Sequence, residues 1–244
     1  MLYDHPELYD ALLPGGAHLP FYAALADRQG GPVLELACGT AQIAVEIAAR
    51  GHRTTGLDLS ASMLRAARER ADAAGVELRL VEGDMRRFEL GERFGLVFIP
   101  RNSLLHCTGT EDILAVFHAA RRHLAEGGVF AFDVFNPDVR ILATPPGRRS
   151  HVMTVPTERW GEVTVEAASD YDTASQVNRA TWFISTASER DRWVEPLHLR
   201  SIFPQELPLL LERGGFRLLS RHGDFAGTPF ASDSPRQVCL CCPG

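Results

Sequence analysis

Three carboxylates, Glu35, Asp58 and Asp84, stand in or just past short apolar runs in the first third of the chain. Between the first two lies Ala37-Cys38-Gly39-Thr40-Ala41, a stretch with no large side chain. Such a turn lets a ligand lie directly against the backbone. A helix beginning behind it adds free N–H groups and a positive dipole end. Asp58 follows Glu35 by 23 residues. A carboxylate at that distance can accept hydrogen bonds from both hydroxyls of a ribose. Further on, His106 follows a fourth apolar run by seven residues. Its unperturbed pKa near neutrality suits a general base or an orienter of a nucleophile.

Strands alternating with helices must position these groups. Val33–Leu36 reads as a buried strand broken only by Glu35, and from Ala41 a helical pattern places Ile43, Ile47 and Ala48 on one face. Arg53–Asp58 is predicted as the second strand, and Ser60 can cap a helix running to Ala74. Val76–Val81 and Phe94–Ile99 follow as strands. Thr108 and Glu111 have capping-box spacing for a helix to Leu124, and Val129–Phe135 is the fifth strand. This alternation predicts an α/β fold with a doubly wound, mostly parallel sheet. Beyond Pro145-Pro146-Gly147, four runs alternate apolar with polar residues: 151–155, 162–171, 176–186 and 193–203. They predict an antiparallel insert after the fifth strand. A helix over 205–213 and strands over 216–224 and 237–242 close the sheet at seven strands. Four regions result: a helical leader over 1–30 that can serve as a lid, a core over 31–144, an insert over 145–203 for substrate or dimer contacts, and closing elements over 204–244.

The chain has 244 residues, a net charge of −6 and 45% hydrophobic residues, as one folded α/β unit requires. All 25 basic residues are arginine. The lack of lysine excludes Schiff-base chemistry, a Walker A lysine and the Tyr-x-x-x-Lys pair. The Arg pairs are scattered, which speaks against a nucleic-acid partner, and no apolar run approaches a membrane span. The five cysteines have neither metal-site nor disulfide spacing, so no metal is expected and a reducing cytoplasm is.

Glu35-Leu36-Ala37-Cys38-Gly39-Thr40-Ala41 resembles the first motif of class I S-adenosylmethionine-dependent methyltransferases. The flanking glycines of that motif are replaced here by Ala37 and Ala41. The resemblance implies a Rossmann-like fold and S-adenosylmethionine as cofactor, with S-adenosylhomocysteine as product. It assigns Glu35, Ala37, Cys38, Gly39 and Asp58 to the cofactor. Gly83-Asp84-Met85 would hold the adenine, with Leu59 and Met63 as apolar walls. Backbone of Pro100 or Arg101 would face the cofactor amine, and the Arg101 side chain could pair a substrate anion. Asn102-Ser-x-x-His106 resembles the loop after the fourth strand in small-molecule methyltransferases. Tyr9, Tyr22, Asn102, His106 and Asn136 are the candidates for the substrate side.

The implied reaction is in-line methyl transfer to a nitrogen, oxygen or carbon nucleophile of a small molecule, by orientation and exclusion of water. Two alternatives stand beside it. One is a non-catalytic cofactor-binding protein, serving as a regulatory or scaffold subunit; a homodimer is a candidate assembly for the enzyme reading. The other is an NAD-dependent oxidoreductase, against which positions 37, 39 and 42 read Ala, Gly and Gln rather than three glycines.

Overall fold

The computed structural model describes residues 2–244. A leader of a single 3-10 turn, α1 (Pro6–Leu12) and α2 (His18–Gln29) precedes the sheet. The core then runs β1 (Val33–Leu36), α3 (Gln42–Ala49), β2 (Thr54–Asp58), α4 (Ala61–Ala74), β3 (Arg79–Glu82), β4 (Phe94–Ile99), α5 (Thr110–His123) and β5 (Leu124–Phe135). A short helix α6 (Val139–Leu142) leads into β6 (Ser150–Thr157), β7 (Gly161–Asp172), β8 (Val177–Thr186) and β9 (Trp193–Arg200). The chain closes with α7 (Leu207–Arg213), β10 (Phe216–His222) and β11 (Arg236–Pro243).

The seven core strands lie in the order β10-β11-β5-β4-β1-β2-β3, and β6 to β9 form a separate antiparallel sheet. Strands β3-β2-β1-β4-β5 are parallel, with β11 antiparallel to β5 and β10 to β11. The strand order therefore reverses between β1 and β4, where ligands of doubly wound sheets bind. Every residue of β1 is buried, as a strand covered by helices on both faces must be.

Where boundaries differ from the sequence reading, a specific interaction decides. β5 starts at Leu124 because Gly127-Gly128 forms a bulge against β4 rather than a stop. β3 starts only at Arg79, since Val76 and Leu78 pack with α3 and α4 instead. Ser60 caps α4, accepting from the Met63 N–H. The Thr108–Glu111 capping box does not form: α5 is capped by Gly109 without a side-chain bond, and the Thr108 carbonyl accepts from Arg200. β9 ends at Arg200, whose guanidinium also pairs with Glu206.

The leader bridges the two sheets. Tyr22, Ala23, Leu25 and Ala26 of α2 pack on Val33, Leu96 and Phe98 of the core. Leu2, Leu8 and Leu12 pack on the inner face of the insert, against Val163, Val165 and Ile184. Trp160, Trp182 and Trp193 pack around that same cluster. At a typical ~1.5–3 kcal/mol per buried aliphatic side chain, these contacts hold the leader firmly between core and insert.

Candidate active site

The turn after β1 adopts the left-handed backbone at alternate residues: Ala37 at φ 55°, Gly39 at φ 54° and Ala41 at φ 56°. Two alanines therefore hold a conformation in which a Cβ costs roughly 1–2 kcal/mol. They keep the shape of a three-glycine turn at the expense of strain. The space around the turn is tight. A Cβ added to Gly56 on β2 would come within 2.8 Å of Cys38 Sγ. Gly56 thus lets Cys38 pack underneath the turn, and burial pushes the Cys38 thiol well above its ordinary pKa.

Asp58 ends β2 beside this turn. One carboxylate oxygen accepts from the Gly39 N–H at 2.8 Å, and the other from the Ser60 N–H at 2.8 Å. Burial raises its pKa, and these N–H groups hold it back toward the charged form. Each oxygen keeps a further lone pair for a hydroxyl. Glu35 lies behind the turn, 2% exposed, with Oε2 buried and unpartnered. Burial lifts its pKa to about 8, so it is protonated at neutral pH. Glu35, Ala37, Cys38, Pro100 and Arg101 line one narrow cleft beneath Tyr9.

On the far side of Asp58, Leu59 is 70% exposed while Met63 is only 1% exposed. Met63 is thus part of the packing beneath α4 rather than an open wall. Gly83-Asp84-Met85 follows β3, with Met85 packed against the main core. The Asp84 carboxylate is gripped by Arg86, at 2.6 Å from Nη2 and 3.0 Å from Nε. That ion pair holds Asp84 below the usual carboxylate range.

Leader residues cover the turn. The Tyr9 ring lies over Gly39, 3.7 Å from where a Cβ would stand. The Tyr3 carbonyl accepts from Ser60 and Ser62 hydroxyls at 3.3 and 2.8 Å. The Tyr3 hydroxyl lies 3.0 Å from His106 Nε2. His106 keeps an exposed edge, and partial loss of water around the packed side of the imidazole lowers its pKa from the ordinary histidine value. Asp10 in α1 accepts from Thr40 and Gln42, each at 2.6 Å, and pairs with Arg70.

Three sequence candidates stand elsewhere than expected. Tyr22 is fully buried, donates to Asp133 at 2.9 Å and stacks on Phe98, so no substrate reaches it. The Asn136 amide nitrogen donates to the Ser234 carbonyl at 2.9 Å, tying β5 to the loop before β11. The Arg101 guanidinium is not open to a substrate anion. It donates to Leu13 and Pro14 carbonyls, His18 Nε2 and Gln42 Oε1. This arginine, Asp10 and Asp133 organise the leader. Their partners lie tens of residues away, and no local pattern announces them.

The glycine-poor turn, Asp58 and the reversal of strand order meet at one sheet edge. Residues 33–128 match the methyltransferase domain family. The chain superposes on the methyltransferase CcbJ of Streptomyces caelestis with a TM-score of 0.80 at 25% identity, covering 96% of this chain and 95% of that one. Residues 33–128 are thus a methyltransferase domain, and the chain takes the fold of the S-adenosylmethionine-dependent methyltransferases. It is 26% identical over 232 residues to the cypemycin N-terminal methyltransferase of a Streptomyces species, covering 93% of this chain and 91% of that one. Over 136 residues it is 33% identical to a Streptomyces venezuelae dTDP-3-amino-3,4,6-trideoxy-alpha-D-glucopyranose N,N-dimethyltransferase, covering 52% of this chain and 55% of that one. Among the described residues no helix of this methyltransferase is long and apolar enough to cross a membrane.

Proposed function

We propose that this methyltransferase moves the methyl group of S-adenosylmethionine onto an amine of a small molecule. The observation that carries the reading is the gathering of Glu35, Gly39 and Asp58 around one covered turn. A relative that is an N,N-dimethyltransferase by name favours nitrogen as the nucleophile. When bound, S-adenosylmethionine supplies an electrophilic methyl group on a sulfonium. Asp58 accepts the ribose hydroxyls, and the backbone around Ala37, Cys38 and Gly39 lies along the cofactor. Glu35 receives the methionyl ammonium together with backbone of Pro100 or Arg101. Gly83, Asp84 and Met85 border the adenine, with Leu59 across from them. The leader, through Tyr3 and Tyr9, excludes water from the reacting centre. The proton shed by the amine reaches His106 Nε2 through the Tyr3 hydroxyl beside it, while Asn102 faces the acceptor. Incubation with S-adenosylmethionine and a panel of amino sugars, peptide N-termini, phenols and carboxylates tests the reading. Methylated amines and matching S-adenosylhomocysteine release are expected. Methylation confined to oxygen acceptors would refute the choice of nitrogen.

Glu35 gives this reading a proton signature. Its pKa is lifted from 4.5 to about 8, so the folded chain holds a proton that the unfolded chain has released. The corresponding stability is present at pH below 4.5 and is lost as pH rises through about 8. An ammonium docked on the carboxylate reverses the shift and expels the proton. Binding of S-adenosylhomocysteine at pH 7 should therefore release close to ~1 proton. Calorimetry in buffers of different ionisation enthalpy reads this directly. Heat independent of the buffer, or unchanged buffer dependence in Glu35→Gln, would contradict the placement.

A further inference from the structure

Asp133, near the end of β5, is fully buried, and its contacts converge on the loop after β4. Its Oδ1 accepts from the Arg101 N–H at 2.9 Å and from the Tyr22 hydroxyl at 2.9 Å. Its Oδ2 accepts from Arg236 Nη1 at 2.8 Å, and its carbonyl accepts from the Asn102 N–H at 3.2 Å. One residue thus holds both N–H groups of the dipeptide Arg101–Asn102. That dipeptide is left-handed at both positions, φ 57° and 62°. Two consecutive side-chain-bearing residues in this region are strained and persist only where their surroundings enforce it. The Arg101 side chain reaches the leader, as described above. Asn102 begins the 3-10 turn Ser103–His106, and its Oδ1 is buried without a partner in the chain. A buried, unpartnered acceptor is costly unless a donor meets it in the working complex.

We propose that Asp133 is a positioning residue for methyl transfer: by holding the left-handed Arg101–Asn102 pair, it sets where Asn102 and His106 stand toward the acceptor. The proposal rests on the methyl-transfer reading above. The physical cause is that neither residue would keep this backbone unaided. Released, the loop relaxes toward ordinary φ values, and an ångström of displacement at the acceptor is enough to slow transfer. Asp133 touches neither the turn after β1 nor Asp58, so the ribose contacts do not depend on it, whereas the Arg101 backbone beside the cofactor ammonium does.

Asp133→Asn keeps the shape but turns an amide toward Arg236 or Arg101, where a donor cannot bond a donor. Limited trypsinolysis followed by mass spectrometry gives a readout independent of activity. In the wild type the bond after Arg101 should resist, while the bond after exposed Arg148 is cut and serves as the internal standard. In Asp133→Asn, cleavage after Arg101 should rise at least ~5-fold with the Arg148 rate unchanged, as local opening requires. Turnover at saturating acceptor and cofactor should fall at least ~10-fold, a loss that raising either concentration does not recover. Tyr22→Phe, which leaves the Arg101 N–H bond in place, should track the wild type in both assays. Wild-type behaviour of Asp133→Asn would overturn the proposal. So would equal acceleration at both bonds, or a Tyr22→Phe variant that copies Asp133→Asn. Should Asp133→Asn fail to fold, Asn102→Ala, with a side chain poorly suited to the left-handed region, should show the same selective cleavage; its absence would overturn the proposal. If the wild type transfers no methyl group to any acceptor, the functional reading fails, and the cleavage arm still decides the role of Asp133.

Discussion

Asp58→Ala should lower affinity for S-adenosylhomocysteine by at least ~10²-fold. Two ribose hydroxyls lose a charged acceptor, each bond being worth roughly 1.5–3 kcal/mol. The substitution also strips the Gly39 and Ser60 N–H groups of their partner. The turn after β1, already strained at two alanines, then loses its tie to β2. Asp58→Asn keeps one acceptor oxygen and should lose less, about tenfold. Calorimetric titration of both variants provides the check. Near-normal affinity in Asp58→Ala would mean that the ribose is held elsewhere.

His106→Ala should slow turnover at pH 7 by about 10²-fold, the lower end of what a general base contributes. The imidazole is neutral at that pH because its pKa lies below its ordinary value, so it can take a proton. An amine acceptor is largely protonated at neutral pH and needs that help. As pH rises, the amine deprotonates itself and the deficit should shrink toward parity. S-adenosylhomocysteine affinity should hardly change, since His106 contacts Tyr3 and not the turn. A deficit that is constant with pH would make His106 an orienting group only. A large loss of cofactor affinity would place it in the cofactor pocket.

The core of this fold is legible because it is built from local signals. Apolar runs bounded by Gly and capping residues mark β1, β2, β4 and the insert strands, and Ser60 marks the start of α4. The strand-end residues Gly39 and Asp58 are readable for the same reason: strand topology brings them to one edge. What escapes the sequence is long-range. Tyr22 looks like a free aromatic of a lid, yet a carboxylate 111 positions away takes its hydroxyl. Arg101 looks like an anion receptor, yet carbonyls of the leader surround it. Asp84 is the local exception: it reads as a free acid, but Arg86 two residues on folds back to pair with it. In each case a single side chain has several chemically equal partners, and only packing selects among them.

Isothermal titration of the wild-type chain with S-adenosylhomocysteine and, separately, with NAD tests the central claim most directly. Both ligands carry a ribose that Asp58 could bind, so the turn and Glu35 must make the distinction. A 1:1 binding isotherm with S-adenosylhomocysteine, together with no heat from NAD, is the predicted result. Saturable binding of NAD, or no heat from S-adenosylhomocysteine, would contradict it.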